Sequence, residues 1–239
     1  MENFQQRQGA ELDAEALRRH CLADVLSRIL PAAFFLVAVG LHIQRLTSFL
    51  NDQAGARGTS SRLGFYASVG SRISVILFLA LMAALFIVRE KAVKKASGLS
   101  PRIMAILGTF LMSVITFFPR VELNVIQTLT ATLIVLSGTC LSVAVLFRLG
   151  RSFSLMAEAR KLVTSGPYAF VRHPLYLVEE IAVIGTLLQF LSLYTVAIFG
   201  IHLWIQIQRM KNEEAVLREV FPGYADYQAR TFRLIPGVY

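Results

Sequence analysis

Residues 181–208 read IAVIGTLLQFLSLYTVAIFGIHLWIQIQ. A membrane span needs about 20 apolar residues, because a helix rises about 1.5 Å per residue across a hydrocarbon core of about 30 Å. These 28 residues exceed one span and fall short of two. As a single tilted span they would hold the polar segments on either side, 148–180 and 209–239, at opposite faces of a bilayer. As a hairpin they bring both segments to one face. With about three residues kept for a turn, Pro174 to Asn212 leaves about 18 residues, or about 27 Å, per arm. This arithmetic favours a transmembrane hairpin over about 174–212, turning at Gln189–Tyr194.

The rest of the chain supports a membrane setting. Of its 239 residues, 55% are hydrophobic and only 16% charged, with a mean hydropathy of +0.59. A soluble domain carries about a quarter charged residues. This balance excludes a disordered chain, a collagen-like fibre and a disulfide scaffold. Cys21 and Cys140 are too far apart, and Cys140 too deep in an apolar run, to suggest a zinc site. Four further spans are expected at Ile29–Leu46, Val69–Val88, Ile103–Phe118 and Asn124–Phe147, with Arg72 near enough to one end to snorkel. Before them, Glu11–Arg28 places Ala14, Leu17, Cys21 and Val25 at helical spacing opposite Arg18 and Arg19. It reads as an interfacial amphipathic helix, and its acidic and polar residues do not resemble a cleavable signal peptide. The expected fold is an all-α, polytopic integral membrane bundle. It divides into an interfacial segment (1–28), a four-helix region (29–147) and a carboxy-terminal region (148–239) that contains the hairpin.

Loop charge orients the bundle. Arg89–Arg102 and Arg148–Arg172 each hold five cations and one acid, and two spans separate them. Both are expected on the cytosolic side by the positive-inside rule. The net charge of +9 then reflects contact with anionic lipid headgroups rather than nucleic acid. The connection around Arg120 and Glu122 falls outside, and so does the Arg57–Arg62 loop despite its cations.

Chemistry is concentrated in the two segments that flank the hairpin. The first contains Arg172-His173-Pro174-Leu175-Tyr176. Proline favours the first helical position, so His173 becomes the cap and the amides that follow face a positive helix end. Such an end attracts anions. A purely structural reading makes Arg172 a lipid anchor and His173 only a cap. The second segment holds Arg209, Glu213-Glu214, Tyr224 and Tyr227. Glu213 and Glu214 are expected to begin a short amphipathic helix that buries Val216, Leu217, Val220 and Phe221. Those acids either complement the helix dipole or bind ribose hydroxyls or a cation.

Leu162-Val163-Thr164-Ser165-Gly166-x-Tyr168, Arg172-His173-Pro174-x-Tyr176 and Glu213-Glu214-x-x-Leu217-x-x-x-Phe221, followed by Tyr224-x-x-Tyr227 and Ile235-Pro236, resemble the isoprenylcysteine carboxyl methyltransferase family over about residues 145–239. The resemblance implies an S-adenosylmethionine-dependent membrane methyltransferase, with the cofactor entering from the cytosol and a lipidic acceptor from the bilayer. By position it implies cofactor contacts from His173, Pro174, Tyr176, Glu213 and Glu214. Arg209, with Arg172 beside it, would bind the acceptor carboxylate. Val178 stands where the family has glycine, and the Phe221–Tyr224 loop is one residue shorter than the eukaryotic form.

Methyl transfer from a sulfonium depends on positioning. A carboxylate acceptor is ionised at neutral pH and needs an arginine to hold it, whereas an amine acceptor needs a base such as His173 or a glutamate. The chain has no Gly-x-Gly motif, which argues against a Rossmann-type site. Two other classes stay open. One is a membrane reductase of the sterol type using NADPH. The other is a lipid-binding protein without catalysis. Neither a metal nor nucleic acid is expected as a partner.

Overall fold

The computed structural model describes the backbone of residues 2–55 and 62–238, and the side chains of Val25, 27–53 and 62–238. Apolar runs without polar partners must satisfy their backbone internally, so they become helices. Among the described residues, four helices are long and apolar enough to cross a membrane: Ser27–Gln53, Arg62–Val88, Ser100–Phe117 and Val125–Ser152. Each overlaps one of the expected spans. The first belongs to helix α1 (Glu2–Gly55), so the expected interfacial prefix is helical and continuous with the span. The side chains of 1–24 lie outside the described residues, as do residues 56–61 of the Arg57–Arg62 loop. Helix α2 covers Arg62–Val88.

The third span changes character midway. It begins as α3 (Ser100–Phe110), with proline in the first turn, and tightens into a 3₁₀ segment over Leu111–Phe117. Helix α4 (Val125–Leu149) has a defined start: Asn124 accepts from the Gln127 backbone amide, and the Gln127 side chain accepts from the Asn124 amide. That capping box satisfies two donors a helix end leaves open. Arg72, expected to snorkel, lies over the Phe49 ring at 4.5 Å.

The last apolar stretch is a hairpin. Helix α5 (Pro174–Leu187) continues as one 3₁₀ turn (Leu188–Phe190) and reverses at Leu191–Ser192 into α6 (Leu193–Val220). The arms are unequal. The first is about 21 Å long and the second about 42 Å, rather than about 27 Å each. Ser192 caps α6 by accepting from the Thr195 amide. Glu213 and Glu214 therefore lie inside α6, not at the start of a separate helix as the sequence suggested. The break comes later, at Pro222, and a short α7 (Tyr224–Arg230) follows.

Close helix packing fixes the first arm. A Cβ at Gly138 of α4 would lie 2.4 Å from the Ala182 backbone nitrogen, and one at Gly185 of α5 would lie 2.8 Å from that of Val135. Small residues on both helices let the backbones touch, the usual route to tight packing where lipid removes the hydrophobic drive. Helix α4 also packs on α2, α2 on α1, and α3 on α6. A core of Phe35, Met82, Phe86, Leu146 and Phe153 joins α1, α2 and α4. Many large apolar side chains on the spans face outward, among them Val37, Leu77, Ile126 and Phe147. This is the surface of a protein whose solvent is lipid.

The two poles are distinct. Lys94–Lys95 (β1) pairs antiparallel with Glu158–Ala159 (β2), so the two cationic loops share one side, as their charge predicts. Arg89 donates to Ser27 Oγ (2.8 Å) and Lys94 is paired with Glu219 of α6 at the same pole. At the other pole the Val121 amide donates to Gln189 O (3.1 Å), and Arg120 lies over the Phe190 ring. The hairpin thus runs the depth of the bundle.

Candidate active site

Both polar segments meet where the arms of the hairpin end. His173 caps α5 and Pro174 occupies its first turn. The last ten residues of α6 carry five charges, so this end projects beyond the apolar part of the helix. Two acids one residue apart on a helix point about 100° apart, and the structure uses that difference. Glu214 is 2% exposed and turns into the protein. Its Oε1 accepts from Arg172 Nε (3.0 Å) and Arg233 Nε (3.0 Å) and lies 3.3 Å from His173 Nε2, while Oε2 accepts from Arg233 Nη2 (2.9 Å). Burial alone would raise the Glu214 carboxyl. The bonds from His173, Arg233 and Arg172 overcome that and hold it well below the ordinary carboxylate range.

Glu213 turns into a cavity. It accepts a hydrogen bond from Tyr176 Oη and lies 3.8 Å from His173 Nδ1. His173 sits between the two acids, 5% exposed, with its ring edge-on to Tyr176. The expected residues His173, Tyr176, Glu213, Glu214 and Arg172 are brought together. Pro174 is buried and sets the helix start, without lining the cavity.

The carboxy-terminal tail clamps this cluster. The Arg172 amide donates to Phe232 O (2.8 Å), the His173 amide to Arg233 O (3.1 Å) and the Phe232 amide to Phe170 O (3.0 Å). Arg172 Nη1 donates to Gln228 O (2.9 Å) and to Thr231 O. Tyr227 Oη donates to Tyr168 O (2.7 Å). Burial raises the Tyr227 hydroxyl to about 12, so it remains a donor throughout the neutral range. Arg172 therefore spends Nε and Nη1 on protein while it also lines the cavity, and Arg233, to which the sequence reading gave no role, completes the clamp.

Arg209 lies four residues before Glu213, one helical turn deeper. It is 7% exposed, with its guanidinium 4.9 Å from the Tyr176 ring centre. Nη1 donates to Gln206 Oε1 (2.9 Å) and Nη2 to Leu155 O (3.2 Å), while buried Nε has no protein partner. Helix α3 supports it from below: a Cβ at Gly108 would lie 2.4 Å from Arg209 Cδ.

The same face of α6 continues inward through Gln206 to His202. His202 Nε2 lies 2.8 Å from Glu180 Oε1, which also accepts from Gln206 Nε2 (3.2 Å). His202 and Gln206 were hidden in the stretch 181–208 read as apolar, and Glu179 and Glu180, at the end of the polar segment 148–180, were given no role. The signal for His202 and Gln206 was the spacing 202, 206, 209, 213, which places polar and ionisable residues on one face of one helix.

One cavity of about 540 Å³ joins all of this. Its polar pole is lined by His173, Tyr176, Glu213 and Tyr224. Its deep part is lined by Phe35, Phe78, Met82 and Ile115 from the apolar bundle, with Glu180, His202 and Arg209 along the hairpin. Tyr224 Oη, 1% exposed as a residue, has no protein partner. Among the described residues, no cluster of His, Cys, Asp or Glu has the arrangement of a metal site.

Comparisons with known proteins place the same segment. Residues 130–219 match the sequence model of the Isoprenylcysteine carboxyl methyltransferase (ICMT) family. Similar proteins include Protein-S-isoprenylcysteine O-methyltransferase of Mus musculus, 33% identical over 48% of this chain and 43% of its own length. The protein of the same name from Schizosaccharomyces pombe is 32% identical over 41% of this chain and 45% of its own length. Cobalt-zinc-cadmium resistance protein CzcN of Cupriavidus metallidurans is 33% identical over 31% of this chain and 35% of its own length. The chain thus spans less than half the length of the curated relatives it matches. The family match falls on the segment that builds most of α4, the hairpin and the acidic pair.

Proposed function

We propose that this protein is an integral membrane methyltransferase that uses S-adenosylmethionine and methylates a lipidic carboxylate, of the kind carried by a prenylcysteine-like thioether. The observation that carries the reading is the single cavity of about 540 Å³, polar at one end, apolar at the other, with Arg209 between Glu213 and the deep residues of α6. Its size suits a ligand-binding cleft. The cationic loops put the polar pole on the cytosolic side, so donor and acceptor arrive from water and from lipid respectively. Residues 148–239 supply the catalytic groups, and the helices of 29–147 supply the apolar wall.

The chemistry of the donor set fits. Glu213, held by Tyr176, offers a carboxylate to ribose hydroxyls or to the donor's cationic groups. Tyr224 Oη, otherwise unpartnered, and His173, held between the two acids, take further polar atoms of the donor. Glu214 and Arg172 act one step back: they fix His173 and the tail rather than touch either substrate. Bound there, the donor supplies an electrophilic methyl group on sulfur. Arg209 holds the acceptor carboxylate in line, its orientation set by Gln206 and Leu155 O. No base is required, since the carboxylate is already ionised. The work of the site is alignment.

Mass spectrometry of membrane lipids and thioether acids incubated with protein and isotopically labelled S-adenosylmethionine tests this. Label is expected as a methyl ester on the acids. Label on a phospholipid amine would make the protein an N-methyltransferase, and no transfer to any acceptor would remove the assignment.

A further inference from the structure

The row of buried polar groups below Arg209 is more than the proposed transfer needs. Glu180 and His202 are 8% and 3% exposed, joined across the hairpin at 2.8 Å, and both line the cavity. Glu180 Oε1 is occupied twice over, by His202 and Gln206, yet Glu180 Oε2 and His202 Nδ1 have no protein partner. A neutral imidazole that donates its Nε2 proton to Glu180 leaves Nδ1 as an acceptor. Glu180 Oε2 therefore stands open as an acceptor in the apolar part of the cavity, and His202 Nδ1 is left without a protein partner. A hydrocarbon chain laid against them would leave a buried carboxylate oxygen unsatisfied, which is unfavourable.

We propose that Glu180 and His202 form a specificity subsite that reads a hydrogen-bond donor, a hydroxyl or an amine, on the membrane-buried body of the acceptor. Seven residues of α6 separate His202 from Arg209, so this group lies about 10 Å from the methylated carboxylate. The subsite rests on the proposed function for the position of that carboxylate, and it narrows the acceptor class: the body is an oxygenated or aminated lipid rather than a plain hydrocarbon chain. Arg209 Nε, also unpartnered, lies at the end of the same row where the carboxylate is placed.

The test compares two S-alkyl cysteine acids, identical except for one hydroxyl about 10 Å from the carboxylate. Binding of each to the full-length protein in lipid nanodiscs is measured by calorimetry, and methyl transfer is measured separately. The hydroxylated acid is expected to bind about tenfold or more tightly. In Glu180→Leu that preference is expected to vanish, and in Glu180→Gln to shrink. A Glu180–His202 pair that merely ties the arms together would alter thermal stability in these variants, while the ratio between the two acids stayed near one in every protein. Equal binding of the two acids by the wild-type chain overturns the proposal, whatever the variants do. A clear preference without methyl transfer keeps the subsite and overturns the proposed reaction instead.

Discussion

Two clusters of buried charge occupy the hairpin, and they are built on opposite principles. At the polar pole, both Glu214 oxygens are consumed by Arg172, His173 and Arg233, which in turn bind the carboxy-terminal tail. Along the inner row of the hairpin, Glu180, His202 and Arg209 each keep one buried atom without a protein partner. A saturated acid such as Glu214 specifies structure, because neither of its oxygens is left over for a ligand. An open one implies a ligand, because buried polar groups are otherwise paired. The difference separates the residues that hold the site from those that face its contents, although both sets look equally reactive in the sequence.

The largest effect is expected from breaking the closed cluster. Glu214→Ala leaves largely buried Arg172 and half-buried Arg233 without their shared acid, and should cost about 3 kcal/mol of stability. Thermal melting in detergent would read this directly, and a melting point unchanged from wild type would mean that the pole is not a structural clamp. Arg209→Ala, in the open row, should do the reverse. Methyl transfer is expected to fall about a hundredfold with binding of S-adenosylmethionine near its wild-type level. Equal losses of turnover and binding would move Arg209 out of the acceptor role. Gly108→Ala sharpens the same point without touching a charged group. The added methyl meets Arg209 Cδ, and an intermediate loss of turnover with an intact fold is expected.

Acid titration compares the clusters by pH. The Glu214 carboxyl is depressed in the folded protein, so the stability it contributes is complete above its ordinary value of 4.5 and lost as pH falls below that. Wild type and Glu214→Gln should therefore differ most at neutral pH and converge in strong acid. A gap that stays constant over that range would contradict the linkage. The smallest effect belongs to Tyr227→Phe, which removes one bond to Tyr168 O and should cost about 1 kcal/mol by chemical denaturation.

Much of this was legible in the sequence because it is local. Hydropathy located four spans, and the length of residues 174–212 favoured a return to the same side. The sequence Arg172-His173-Pro174 announced a helix start. What escaped is non-local or masked by averaging. His202 and Gln206 disappear into the mean of a strongly apolar stretch, although their helical spacing to Arg209 and Glu213 was there to find, and Glu180 gains its partners only when the hairpin folds back. Arg233 acquires its role only when the tail returns to lie beside Phe170–His173. The unequal arms follow from where α6 stops. The acidic pair is too good a helix former to break it, so the helix runs on to Val220 before Pro222.

The central claim is that His173 and Glu213 face one ligand, a sulfonium nucleoside. Equilibrium binding of radiolabelled S-adenosylmethionine to the purified protein, with NADPH as competitor, tests it most directly. Saturable binding that is lost in both His173→Ala and Glu213→Ala, and that excess NADPH does not displace, is the predicted result. Displacement by NADPH, or binding indifferent to both substitutions, would contradict it.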